Sequence, residues 1–215
     1  PKKYKASIEA LLRRILEGES LPSINKIVDL YNYASIKNII PVGGDDLSKI
    51  DGDIKLTKAK GDEKFVPINS EEAESPKPGE VVYKDSEDVL CRRWNWREAD
   101  KSKLTEDTKE VILYAESLVG KELSQKVLKD LLKLIKDKFG VEAKCFIMDK
   151  DNAILDIDNL KLEKTDYKVK AKEEKVEKKE KKDNKKKSKK EKRKEDVKHW
   201  ADSIAQKIIE TKGEK

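Results

Sequence analysis

The sequence holds one histidine, His199, and two cysteines, Cys91 and Cys145, in 215 residues. A single imidazole rules out a multi-histidine metal site and speaks against zinc, which draws three or four protein ligands. It also excludes a Ser-His-Asp or Cys-His arrangement from everything before His199. The cysteines lack Cys-x-x-Cys spacing and sit among apolar residues, the pattern of buried, reduced thiols in a cytoplasmic protein. No run approaches the ~18 consecutive apolar residues of a membrane helix, and no signal peptide opens the chain, so no membrane partner is expected. An initiator methionine is also missing: the first residue is Pro1, which suggests a fragment. A phosphate loop is absent, because no Gly-Lys-Ser/Thr follows Gly43-Gly44, and Gly120-Lys121 lacks the first glycine of the motif. Neither a cofactor nor a metal is expected.

Charge is abundant instead. Charged residues make up 44% of the chain and apolar residues 36%, against ~25% charged in an average globular chain. The length suits one domain of ~100–200 residues with something beyond it. The 50 basic and 44 acidic residues give a net charge of +6 that is spread unevenly. Residues 161–198 carry 19 basic and 10 acidic side chains, whereas residues 1–160 carry 28 and 31. The basic pI of about 9.0 therefore belongs to one segment. With so few large apolar residues, 161–198 cannot offset its ordering entropy, and it reads as a disordered or solvated-helix linker. Its polybasic run offers Lys185, Lys186, Lys187, Lys189, Lys190, Lys192, Arg193 and Lys194 to RNA phosphates through counterion release. A plain soluble spacer would share that composition. Residues 199–215 read as a short amphipathic helix.

Hydrophobic spacing organises the body. Ser7 can cap a helix with Ile8, Leu11, Leu12, Ile15 and Leu16 on one stripe, ended by Gly18. Pro22 suits the first turn of a second helix, with Ile24, Ile27, Val28, Tyr31 and Ala34 inward. Asn25, Asp29 and Asn32 then share another face, as a polar pocket lining or as a solvent face. Residues 41–46 read as a tight turn in which Gly43 and Gly44 bring backbone N–H groups close to a ligand. Residues 52–56 and 65–68 read as strands, 70–79 as a loop, and 81–83 with 89–91 as a hairpin. Arg92-Arg93-Trp94-Asn95-Trp96-Arg97 is the least average stretch. Its arginines suit phosphates and its tryptophans suit base stacking. Equally, the tryptophans can pack in the core while the arginines pair with acids. Thr105 opens an expected helix that continues through 111–118. Residues 121–139 form a clear amphipathic helix closed by Gly140, and 145–148 and 153–155 read as closing strands. The expected fold is a mixed α/β (α+β) domain with a partly antiparallel sheet over 1–160, followed by the charged linker and the short helix.

Several of these segments, in this order, resemble one family. They are Leu21-Pro22-Ser23-Ile24-Asn25 with Val28-Asp29-Leu30-Tyr31-Asn32, Pro41 to Leu47, Gly52-Asp53-Ile54, Pro78 to Tyr83, Cys91 to Arg97, and Leu104 to Thr108. Together they resemble the B3/B4 domain, the editing module of the phenylalanyl-tRNA synthetase beta subunit, and chiefly its free-standing homologues. The resemblance implies an α/β domain that accommodates the aminoacyl 3′ end of a tRNA and hydrolyses a wrongly attached amino acid. On that view Asn25, Asp29 and Asn32 would orient the water. Gly43 and Gly44 would supply backbone donors. Arg92, Arg93 and Arg97 would hold terminal phosphates, and Trp94 or Trp96 would stack on the terminal adenine beside Asn95. His199-Trp200-Ala201-Asp202 before Ile204-Ala205 and Ile208-Ile209 resembles the opening helix of a class I lysyl-tRNA synthetase. That implies a lysyl-tRNA synthetase catalytic domain as a partner in cis. The alternative expectation is a non-catalytic tRNA-binding appendage, and a third is a small-molecule pocket unrelated to RNA.

Overall fold

The computed structural model describes residues 4–157. The linker and the terminal helix expected at 161–198 and 199–215 lie outside the described residues. Two compact units divide between Cys145 and Phe146, and the described helices and sheets lie in the first. Neither the expected strand at 145–148 nor that at 153–155 forms. A turn forms instead, with Asp149 Oδ1 accepting from Asp151 N and Asn152 N, each at 3.0 Å. Ile154 is 88% exposed, and among the described residues no strand pairs with this segment to convert its β pattern into a ladder.

Helix α1 spans Ser7–Leu16. Ser7 is its first residue rather than its cap, and the Ser7 amide donates to Asn95 O at 2.9 Å. Ile8 and Ile15 are buried, while Leu16, at the edge of the stripe, is exposed. Helix α2 spans Lys26–Asn38 and starts later than Pro22 suggests, because Asn25 is a true N-cap whose side chain accepts from Val28 N. Helix α3 spans Lys121–Phe139, with Gly140 in the left-handed conformation at its end.

The expected turn at 41–46 is strand β1, Val42–Asp46. It pairs antiparallel with β6, Val111–Ala115, in the register Gly44 to Leu113. The helix expected through 111–118 is thus a strand. Its run Val-Ile-Leu-Tyr-Ala is short and β-rich, and the Thr105–Thr108 segment that reads as a helix start closes a turn, with Thr105 N donating to Thr108 Oγ1. Gly44 makes the pairing possible: a Cβ there would meet Leu113 Cδ2 at 2.5 Å and the Ile112 carbonyl at 2.7 Å. Helices α2 and α3 cover this sheet through Leu30, Ala34, Val42, Val127, Leu131 and Ile135.

The second sheet has the order β2-β3-β4-β5 and is antiparallel throughout. Its strands are Lys55–Lys58, Val81–Lys84, Val89–Arg92 and Arg97–Glu98. β2 begins three residues after Gly52 and is exposed along its length, an edge strand rather than a half-buried one. The β3–β4 hairpin is where the sequence puts it, its turn tied by Asp85 Oδ1 accepting from Glu87 N and Asp88 N. Residues 65–68 contribute single bridges in place of a strand, and Phe65 fills the second core with Ala59, Val82, Val89 and Ala99.

Candidate functional site

Where the two sheets face each other they leave a cleft. One wall is Gly43 and Asp45 of β1 with Tyr114 and Glu116 from β6 and its end. The other is Tyr83, Cys91 and Glu98 of the larger sheet, roofed by Trp94 and Asn95 in the turn between β4 and β5. The space inside is about 20 Å³, enough for one ordered water.

That turn is strained. Arg93 and Trp94 have φ of +50° and +69°, a left-handed conformation costing a non-glycine residue ~1–2 kcal/mol. Surrounding bonds hold it there. Trp94 N donates to Val81 O at 2.8 Å, and Trp96 N donates to Arg92 O at 3.1 Å. The Arg93 guanidinium lies 3.5 Å from the centroid of the Tyr4 ring, and its Nη2 is 3.2 Å from Glu80. Asn95 Nδ2 donates to Glu116 at 3.1 Å. Strain of this kind survives only where neighbours over-determine it, and it gathers at functional sites.

The cleft is acidic. Tyr83 donates to Glu116 Oε1 at 2.6 Å, and Ser102 donates to Asp45 Oδ1 at 2.6 Å. Burial, with Asp45 and Glu116 nearby, pushes the Glu98 carboxyl up to about 8. Burial also raises Asp45 and Glu116, although hydrogen bonds from Ser102 and Tyr83 pull the other way. The Cys91 thiol, against Glu98, is pushed well above its ordinary value by the same desolvation. Two buried polar atoms at the cleft, Trp94 Nε1 and the Tyr114 hydroxyl, have no hydrogen-bond partner of normal geometry. No Lys, Arg or His lines the space. Clusters of carboxyls with raised pKa in a cleft mark sites of chemistry or of cation binding. Among the described residues, no cluster of three or more His, Cys, Asp or Glu is arranged to hold a metal ion.

The residues singled out from the sequence divide. Gly43, Trp94 and Asn95 line the cleft. Gly44 faces the opposite way, into β6. Asn25, Asp29 and Asn32 are not in the cleft lining. Asn25 is occupied on both sides, accepting from Val28 N at 2.9 Å and donating to Leu104 O at 3.0 Å. Asp29 accepts from Ser23 Oγ and Ile24 N, fastening the entry to α2. Arg92 is buried and forked onto Glu80 at 2.8 and 3.0 Å, with Glu74 at 2.6 Å. Its charge and that of Arg93 are spent inside the fold. Arg97 is exposed beside Trp96, 5.9 Å from the ring centroid, and Trp96 meets Tyr4 edge to face. The polybasic lysines lie outside the described residues. Asp45, Tyr83, Glu98, Tyr114 and Glu116 are cleft residues that the sequence reading misses. Asp45 and Tyr83 stand in the segments Pro41 to Leu47 and Pro78 to Tyr83, but Glu98, Tyr114 and Glu116 carry no local signal, since the fold brings them to the cleft only through strand pairing.

Comparison with known proteins gives a family. The model of the B3/4 domain matches residues 1–135. The phenylalanine–tRNA ligase beta subunit of Chromobacterium violaceum is 35% identical over 86 residues, 40% of this chain and 11% of that protein. The corresponding subunit of Aquifex aeolicus is 39% identical over 54 residues, 25% of this chain and 7% of that protein. The match thus spans about a tenth or less of either relative.

Proposed function

The chain belongs to the B3/4 domain family, and from that membership we propose that its cleft takes the aminoacyl 3′ end of a tRNA and hydrolyses the ester of a mischarged amino acid. The observation that carries the reading is the lining: three carboxyls, two phenols and no basic group around a water-sized space. Every aminoacyl ester bears an α-amino group that an uncharged tRNA lacks, and the carboxyl and phenol oxygens of this lining can accept its hydrogen bonds. Ester hydrolysis requires a positioned water and a group to take its proton. Glu116, held by Tyr83 and Asn95 with a carboxyl that burial makes more basic, is the group to which we assign that step. The water-orienting role moves from Asn25, Asp29 and Asn32 to the cleft carboxyls. Exposed Arg97 and the polybasic linker supply contacts to the tRNA backbone.

A docking module without chemistry is the second reading. It is favoured by the internal pairing of Arg92 and Arg93, which removes two of the expected phosphate contacts. The link to a lysyl-tRNA synthetase rests on residues 199–215 alone. Incubating the full chain with a panel of correctly charged and mischarged tRNAs tests the main reading. Hydrolysis of a subset is expected, falling about 100-fold or more in Glu116→Gln, the scale of one general base. No hydrolysis of any species, with salt-sensitive tRNA binding intact, leaves the docking module.

A further inference from the structure

We propose that the indole N–H of Trp94 and the hydroxyl of Tyr114 hold a water molecule against Glu116, and that this water attacks the ester. The inference rests on the cleft being the hydrolytic site. Both atoms are buried without a hydrogen-bond partner of normal geometry, and buried polar groups are satisfied by protein or by ordered water. They line a polar space of about 20 Å³. One water needs about that room and roughly two to four polar partners. The space is thus assigned wholly to the water, and the ester meets it from outside.

Trp94 stands close enough to Glu116 and Tyr83 to act on both. Burial raises the Glu116 carboxyl, and Trp94, with Tyr83 and Asn95, works against that rise. Burial and Glu116 raise the Tyr83 phenol, and Trp94 opposes that as well. Tyr114 stands in a similar relation to Asp45, whose carboxyl burial raises while Ser102 and Tyr114 pull it down. An indole N–H can only donate, whereas a phenol oxygen donates and accepts. The neighbours of the water follow. One of its lone pairs takes the Trp94 N–H, one hydrogen goes to Glu116, the other goes to the Tyr114 oxygen, and the second lone pair is left for the ester carbonyl. On attack the water oxygen bonds to the carbonyl carbon as its proton passes to Glu116. The bond from that carbon to the 3′ oxygen then breaks, and the leaving oxygen takes the proton back, which restores the carboxylate and frees the amino acid. Trp94 otherwise carries two costs to stability, a left-handed backbone with φ of +69° and a buried N–H without an acceptor. The water relieves the second, and hydrolysis is the use both serve.

Two measurements on the full chain test this. The first is nuclear magnetic resonance of the nitrogen-15-labelled protein, which is expected to show a cross-peak between a bound water and the Trp94 indole proton. That resonance is told from those of Trp96 and Trp200 by its loss in Trp94→Phe. The second is single-turnover deacylation. Trp94→Phe keeps an aromatic ring and removes the N–H. Its rate at saturating substrate is expected to fall about 100-fold, the scale on which a misplaced reactant slows a reaction, with the half-saturating tRNA concentration unchanged. Because the N–H works against the rise at Glu116, its loss is expected to move the acid limb of the pH–rate profile to higher pH. The melting temperature is expected to stay near the native value, since no hydrogen bond within the protein is lost; a tryptophan that only packed would lose stability and keep its rate. Tyr114→Phe is a second variant, expected to weaken the cross-peak and slow hydrolysis. A native protein that deacylates without the cross-peak overturns the water site, as does folded Trp94→Phe with native turnover and an unmoved pH profile. Failure of the native protein to deacylate any charged tRNA overturns the proposed function, and the attack by this water with it, whatever the cross-peak shows.

Discussion

Glu98 shows how one residue can couple the cleft to pH. Its carboxyl titrates near 8 in the fold, against an ordinary glutamate value of 4.5, because burial and the neighbouring Asp45 and Glu116 oppose its charge. Between those two values the folded protein holds a proton that the unfolded chain has released. Stability attributable to Glu98 is therefore full below about 4.5, falls as the pH rises through the window, and is gone above about 8. Asp45 and Glu116 shift in the same direction. Glu98→Gln keeps a neutral polar side chain at all pH values. It is expected to raise the melting temperature at pH 8.5 by a few degrees, ~2–4 °C for each kcal/mol, and to leave it nearly unchanged at pH 5. Melts across that range check this, and an equal shift at both pH values would remove Glu98 as the source.

At the scale of the element, β1 separates stability from recognition within two adjacent glycines. Alternation along a strand turns Gly43 toward Glu98 and Gly44 toward Leu113. Gly44→Ala drives a methyl into a backbone carbonyl and a packed leucine, an overpacking that costs ~1–3 kcal/mol. A drop of ~2–4 °C in melting temperature per kcal/mol follows. Gly43→Ala needs only a few tenths of an ångström from the end of a carboxylate side chain, so its melting temperature is expected to stay near that of the native protein. Similar melts for the two variants would contradict this division. The same strand marks the limit of what is legible in the sequence. Helix α3 is legible because its 19 residues repeat a period that only a helix satisfies. The β3–β4 hairpin is legible because its signal is local. β1 reads as a turn on its two glycines, and β6 as a helix on its capping threonines. In each case a contact from the other strand decides the outcome, and a glycine serving close approach looks in sequence like one serving a turn. The cleft is hidden for the same reason. Glu98 and Glu116 are 18 positions apart and Tyr83 lies before both, so no spacing rule joins them.

For the whole molecule the question is where the attraction to a polyanion resides. Residues 1–160 carry 28 basic against 31 acidic side chains, and the fold consumes part of the basic set internally. Arg92 and Arg93 close on Glu74 and Glu80, and Lys101 is surrounded by Asp51, Asp85 and Asp88 at 2.6, 2.7 and 3.2 Å. Such pairs brace the body but leave little positive field to steer RNA. The surplus stands in residues 161–198, with 19 basic and 10 acidic side chains. Capture and chemistry should then respond to different changes. Replacing Lys185, Lys186, Lys187, Lys189, Lys190, Lys192, Arg193 and Lys194 by glutamine in the full chain is expected to weaken tRNA binding at low salt. It is also expected to flatten the dependence of log K on log salt by ~0.7–0.9 for every phosphate no longer neutralised. Deacylation at saturating substrate should not change, because the proposed chemistry is assigned to Glu116 and the cleft around it. Titrations at several salt concentrations, paired with single-turnover hydrolysis, separate the two. An unchanged salt slope would place capture on the body, with exposed Arg97 the first residue to test. A flattened slope with unchanged turnover would assign capture to residues 161–198 and chemistry to the cleft, so that the basic segment acts by raising the local concentration of tRNA around an acidic site that attracts it poorly by itself.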